Sequence, residues 1–119
     1  MISTVVSLHP FGVSLDDLGR AVVVRVQGEV DAATAPHMGE AVDGLLAERR
    51  RIVLDLADVD FMDLHGLAVL LRATRRANGD GASFSLARPA PCVRRLLELV
   101  HAEGDLTILP DGSEPFDAA

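Results

Sequence analysis

Asp31, Asp60, Asp63 and His65 are the side chains of this sequence that come nearest to a chemical constellation. Three carboxylates and an imidazole could bind a cation or handle protons if the chain brought them together. Asp63 stands where a strand pattern gives way to a helix pattern. Such a junction exposes backbone N–H groups and the positive end of a helix dipole, which suits an anion. Each residue also has a plainer role: Asp63 as a helix N-cap worth about 1 kcal/mol, Asp31 and Asp60 as turn residues. The four are more persuasive as one surface patch for a protein partner than as a reactive centre. Elsewhere the chemistry is thin. There is no Gly-x-Ser-x-Gly, no G-x-x-x-x-G-K-[ST] and no lysine to anchor a phosphate or form a Schiff base. His9, His37, His65 and His101 lack metal-ligand spacing, and the lone Cys92 reads as a half-buried inert thiol. No catalytic residue, metal or cofactor is therefore expected, and the chain does not read as an enzyme.

The elements that must position the patch follow from hydrophobic period. Phe11, Val13 and Leu15 alternate like a strand, and D-D-L-G (16–19) marks a turn. Residues 21–26 make a second strand, with Val22, Val24 and Val26 on one face and Arg25 on the other. G-E-V-D (28–31) ends it. A helix follows on Ala35, Met38, Val42, Leu45 and Leu46, capped by Asp31 or Thr34, with Pro36 in its first turn. Gly39 and Gly44 inside it each cost about 1 kcal/mol relative to Ala.

The stretch 51–77 carries the clearest signals. Ile52, Leu54 and Leu56 alternate with Val53 and Asp55, then Asp58, Val59 and Asp60 read as a turn. Phe61 and Met62 sit where a loop is normally polar. Leu67, Leu70, Leu71 and Thr74 then form an i, i+3, i+4, i+7 stripe, stopped by N-G-D-G (78–81). Residues 83–87 read as a strand, R-P-A-P (88–91) as a stiff linker, and Val93, Leu96, Leu97 and Val100 as a third helix ended by Gly104. A last short strand covers 105–109. A short apolar alternation within 1–9 precedes all of this.

The order β-β-α-β-α-β-α-β gives an α/β fold. It is a small mixed β-sheet, an opening hairpin followed by βαβαβ-type crossovers, with helices packed mainly on one face. The polar Asp55 in the central strand suggests a second face less completely covered. In parallel strands, the loops carrying Asp31 and 60–65 open on the same edge. One domain spans 1–109, with its core at about 11–109, and 110–119 is expected to be a disordered acidic tail.

Composition removes several functions. The net charge is −7 over 119 residues, and every Lys/Arg position is arginine, so phosphate backbones are repelled and nucleic acid is not an expected partner. With no Trp, no Tyr and four Phe, stacking platforms are scarce. No apolar run approaches the ~20 residues of a membrane span, so direct membrane insertion is not expected. No basic region followed by an apolar one opens the chain, and a single cysteine suits a reducing compartment; the reading is cytoplasmic.

Four motifs in series carry a resemblance: V-x-G-E-V-D (26–31), I-V-L-D-L (52–56), F-M-D-L-H-G-L (61–67) and R-P-A-P-C-V-R-R-L-L-E-L (88–99). In this order and spacing the chain resembles the STAS-domain family, and within it the bacterial anti-sigma-factor antagonists, from about Phe11 to Leu109. The resemblance implies a partner-switching regulator that binds an anti-sigma factor, usually a GHKL-type serine kinase, and so frees a sigma factor for transcription. It implies a docking surface of Asp31, Asp60, Met62, Asp63, Leu64, His65, Gly66 and Leu67. A second copy of the chain is a further candidate partner. An alternative within the family is an accessory subunit of a lipid-transport ABC system.

The family's kinase places a phosphate on the Ser or Thr that follows the Asp of a D-S-[S/T/A]-G motif. A phosphate adds about −1.5 to −2 charges in a surface the partner must cover, at a cost of several kcal/mol if unpaired. Here the corresponding run is Asp63-Leu64-His65-Gly66, and Leu64 has no hydroxyl. Control by phosphorylation at the usual position is therefore not expected.

Overall fold

The computed structural model describes residues 10–111. Four strands form one sheet in the order β1-β2-β3-β4, with β1 (Gly12–Asp17), β2 (Val22–Val30), β3 (Arg51–Met62) and β4 (Ser83–Ala87). β1 and β2 are an antiparallel hairpin, whereas β2 with β3 and β3 with β4 are parallel. The crossovers are α1 (Ala35–Ala47) and α2 (Leu64–Asp80), and α3 (Pro91–Leu99) follows β4. This is the expected mixed α/β architecture. Apolar residues of all three helices share one core with Val22, Val24, Val26, Ile52, Leu54 and Leu56, so the helices lie on one face of the sheet. Among the described residues, no helix is long and apolar enough to cross a membrane.

The structure departs from the sequence reading where tertiary contacts override local signals. β3 does not turn at 58–60. It runs on to Met62 because Val59 and Met62 are buried and pair with Gly28 and Val30 of a β2 that itself continues past residue 26. The longer strand is accommodated by register shifts between Arg25 and Gln27 and between Gly28 and Glu29. Gly28 sits there at φ 88°, a left-handed conformation open to glycine at little cost. β1 begins and ends later than the alternation suggests, taking in Asp16 and Asp17; the turn is closed by Gly19 at φ 82°. The predicted strand at 105–109 shrinks to a single parallel bridge between Leu86 and Ile108, because Glu103–Asp105 form a 3-10 turn and Pro110 follows. The alternation at 1–9 and the tail beyond Asp111 lie outside the described residues.

The face opposite the helices is the less covered one, as expected: Ser14, Asp16 and Arg25 are exposed on it, while Asp55 itself is buried there at 6% exposed. A buried carboxylate is expensive unless paired. Asp55 is paired with Arg88 just after β4 and lies 3.8 Å from the Arg25 guanidinium on β2, while its Oδ1 accepts the Ala57 N–H at 3.1 Å. Arg25 also reaches Asp16 of β1 at 3.5 Å. The Asp55 carboxylate holds the Arg88 guanidinium above its ordinary pKa.

All three helices end in a left-handed turn. α2 uses Gly81 at φ 73°, and runs through 78–80, residues that read as a stop in the sequence. α1 ends on Arg49 at φ 57°, whose N–H donates to the Leu46 carbonyl while Arg50 N–H donates to Leu45. α3 ends on His101 at φ 56°, short of Gly104, with Ala102 N–H donating to the Leu97 carbonyl. These are Schellman closures in which two side-chain-bearing residues occupy the position glycine prefers. Arg49→Gly and His101→Gly are each expected to raise stability by about 0.5–1 kcal/mol. Gly81→Ala, which meets no neighbouring atom within 4 Å, should lower it through backbone strain alone. Urea unfolding monitored by circular dichroism checks all three.

Candidate functional site

Val30 and Met62 are register partners at the carboxyl ends of β2 and β3, so the chain leaves the sheet at two adjacent points. The Asp63 N–H donates to the Val30 carbonyl at 3.2 Å, which ties the two exits together. Asp31 and Asp63 therefore stand side by side on one edge, as the parallel arrangement predicts.

Each acid organises the start of a helix. Asp63 is the N-cap of α2, with extended backbone (φ −112°, ψ −168°), and its Oδ1 accepts the His65 N–H at 2.8 Å. The same oxygen lies 3.2 Å from His65 Nδ1. Asp31 Oδ1 accepts the N–H groups of Ala33 and Thr34 at 3.0 and 3.1 Å. The Thr34 hydroxyl donates to the Glu29 carbonyl at 2.6 Å and accepts the Asp31 N–H at 3.0 Å. Thr34 is the N-cap of α1 by backbone position and makes no side-chain cap bond to the helix; Asp31 closes the turn that leads into it. The Thr34 N–H holds the Asp31 carboxyl below its usual value near 3.8, against the opposing pull of desolvation.

The eight residues expected at the docking surface divide by burial. Leu64 is 61% exposed and the His65 side chain 62% exposed, with Asp31 and Asp63 partly exposed beside them. Met62, Gly66 and Leu67 are buried. They hold the edge in place from below. A Cβ on Gly66 would lie 2.7 Å from Met62 Cγ and 2.8 Å from Val30 Cγ1, so only glycine lets the first turn of α2 sit on the two strand ends. Asp60 lies at the second register shift of β3, on the side of Cys92, whose thiol its charge helps raise. Burial is the main cause of that rise, and the Cys92 S–H lies 3.4 Å from the Val59 carbonyl, as an inert thiol would.

Phe61 belongs to the surface and was not among the residues singled out for it. It is 47% exposed and next but one to Asp63, and its signal was an aromatic ring at a polar junction. The stripe of α2 is also rotated: Leu70, Ala73 and Ala77 are buried, and Leu71 and Thr74 only half so, the Thr74 hydroxyl donating to the Leu70 carbonyl. Among the described residues, no group of three or more His, Cys, Asp or Glu side chains is arranged to hold a metal ion. The edge thus presents two apolar side chains, Phe61 and Leu64, among carboxylates. Such a surface suits protein contact.

Residues 13–110 match the sequence model of a family described as Mlab, STAS domain. A STAS-domain containing protein of Pseudomonas aeruginosa is 29% identical over 85 residues, covering 71% of this chain and 84% of that protein. An anti-sigma F factor antagonist of Paenibacillus polymyxa is 32% identical over 80 residues, covering 66% and 68%. The crystal structure of an anti-sigma factor antagonist from Mycobacterium paratuberculosis superposes with a TM-score of 0.80 over 92% of this chain and 93% of that one. At 24% identity, that last likeness speaks for the fold.

Two outcomes are expected. Gly66→Ala should destabilise by about 1–3 kcal/mol through overpacking against Met62 and Val30, read as a lower urea midpoint. The depressed Asp31 carboxyl stabilises the fold fully above its unfolded pKa, and this contribution is lost as pH falls through the lower folded value. Asp17 adds the same sign through the Gly19 N–H and then Arg50. Asp31→Asn should therefore flatten the loss of stability below about pH 4, measured by acid titration of the far-UV signal.

Proposed function

The chain belongs to the STAS-domain family, and on that premise we propose that it is an anti-sigma-factor antagonist: it binds an anti-sigma factor and so frees a sigma factor for transcription. One observation carries the local reading. Leu64 stands exposed on the first turn of α2, between Asp63 and His65, on the edge where two strands end. A partner that covers it gains up to about 1.5–3 kcal/mol from that side chain alone. Phe61, exposed two residues before Asp63, is a second apolar side chain near this edge, and Asp31 and Asp63 supply the polar rim.

The function needs no catalysis by this chain. The edge holds helix caps and apolar contacts, and its one imidazole has a single carboxylate beside it and no nucleophile. Binding is the whole of the activity.

Serine phosphorylation at the family position does not control it. Leu64 cannot accept a phosphate, and the nearest described hydroxyl on this edge, Thr34, is engaged with the Glu29 carbonyl and the Asp31 N–H. A kinase would have to break the Asp31–Thr34 turn to reach it. The partner, a GHKL-type kinase in this reading, is therefore held without the usual covalent release.

Tagged chain should capture an anti-sigma factor from its native cell, and incubation of the pair with ATP should leave the intact mass of the chain unchanged. Leu64→Asp, which puts a negative charge at the family's phosphate position, should weaken the complex by about 2 kcal/mol or more, roughly 30-fold, without lowering the unfolding midpoint. Leu64→Ser should gain one phosphate per chain. Stoichiometric phosphate on the wild-type chain, or recovery of an ABC-transporter ATPase in place of an anti-sigma factor, would overturn the reading.

A further inference from the structure

A cavity of about 340 Å³ lies between α1 and α2 and opens beside the docking edge. Its apolar floor is Ala32, Ala35, Pro36, Ala68 and Val69. Ala35 and Val69 are buried, so the floor is continuous with the core. His65 belongs both to this cavity and to the edge, and Ala32 directly follows Asp31. Anything seated on Leu64 and Asp31 therefore lies at its mouth.

The walls are charged. Glu40 and Asp43 line one side and Arg72 the other. Asp43 is already matched, 3.4 Å from both the Arg72 and the Arg76 guanidinium groups. Gly39 makes that arrangement possible: a Cβ there would meet Arg72 Nη2 at 3.0 Å, so the bare backbone lets the guanidinium lie across α1 toward Asp43. Glu40 faces the cavity one residue further on, with no cation assigned to it among the described residues. Asp31 and Asp63 add negative charge at the mouth. The balance left for an incoming group is an apolar floor under a negative wall.

We infer that this groove takes an arginine side chain of the same protein partner, its stem on the alanine and proline floor and its guanidinium at Glu40. The inference rests on the edge being the partner's landing site, and it names a specificity contact that the edge alone lacks. Arginine fits because a long aliphatic stem can cover apolar surface while its charged head stays wet. An aliphatic side chain would fill the floor and leave Glu40 unmatched. A carboxylate would be repelled by Glu40, and the one cation lining the cavity, Arg72, is already held by Asp43.

The test is an amide-shift titration of the full chain with N-acetyl-arginine methylamide, against the uncharged N-acetyl-norleucine methylamide. Saturating shifts at Ala32, Ala35, Ala68 and Val69 are expected. The arginine probe should bind several-fold more tightly, and Glu40→Gln should remove about three- to fivefold of that affinity. Glu98→Gln, on α3, should remove none. Equal binding of the two probes, indifference to Glu40→Gln, or shifts spread over every acidic surface overturn the groove. With the captured partner, a complex weakened by Leu64→Asp and untouched by Glu40→Gln overturns the groove and leaves the antagonist reading standing. Indifference to Leu64→Asp overturns the edge, while the probe titration still reads the groove independently.

Discussion

The position of α2 depends on one close approach. Gly66 rests against Met62 and Val30, the last residues of two parallel strands, at a distance that leaves no room for a methyl group. That contact decides where the helix begins, and the rest of the edge follows from it. With α2 seated so low, Asp63 falls at the capping position, its carboxylate meets the His65 N–H, and Leu64 is turned outward. A helix displaced outward by even one carbon would move Leu64 relative to Asp31. The exposed surface is thus set by a buried contact, and interiors this dense transmit such shifts instead of absorbing them.

A docking edge of this kind differs in its energetics from one governed by a phosphate. A phosphorylated edge has two states separated by a charge the partner cannot cover. Here the corresponding position holds a hydrocarbon, and the neighbouring hydroxyl of Thr34 is spent on closing the turn that starts α1. In the proposed reading, the affinity rests on apolar contact at Leu64 within an acidic rim.

How much of this was legible in the residues can be judged element by element. The hairpin, the parallel crossovers and the one-sided helical core followed from period-2 and i, i+3, i+4 patterns, which report burial directly. Asp63 was readable as a cap because caps are local. The failures were non-local. Asp58 to Asp60 look like a turn, and only the partner strand, bent at Gly28, keeps them extended. N-G-D-G reads as a helix stop, yet α2 runs on through the exposed Asn78, Gly79 and Asp80, with an Arg76–Asp80 pair across its last turn, before Gly81 ends it. That Asp55 is buried on the less covered face was not legible, because nothing in its neighbourhood announces an arginine 33 positions later. On the edge itself, identity was readable while orientation was not: Met62 and Leu67 are as apolar as Leu64, and only the packed structure says which of them faces out.

The ion pair between Asp55 and Arg88 gives the fold a form of proofreading. The carboxylate is laid down in the third strand and its main counter-ion arrives only after the fourth has docked. A sheet assembled as far as β3 would carry a negative charge in a place being emptied of water, with only the more distant Arg25 to offset it. Such a partial structure is penalised in proportion to how well its hydrophobic contacts have formed, since better packing means poorer solvation of Asp55. Assembly short of β4 is therefore disfavoured by the same face that stabilises the finished sheet. The arrangement pushes the chain toward all-or-none folding and keeps incomplete sheets, with their unpaired edges, sparsely populated.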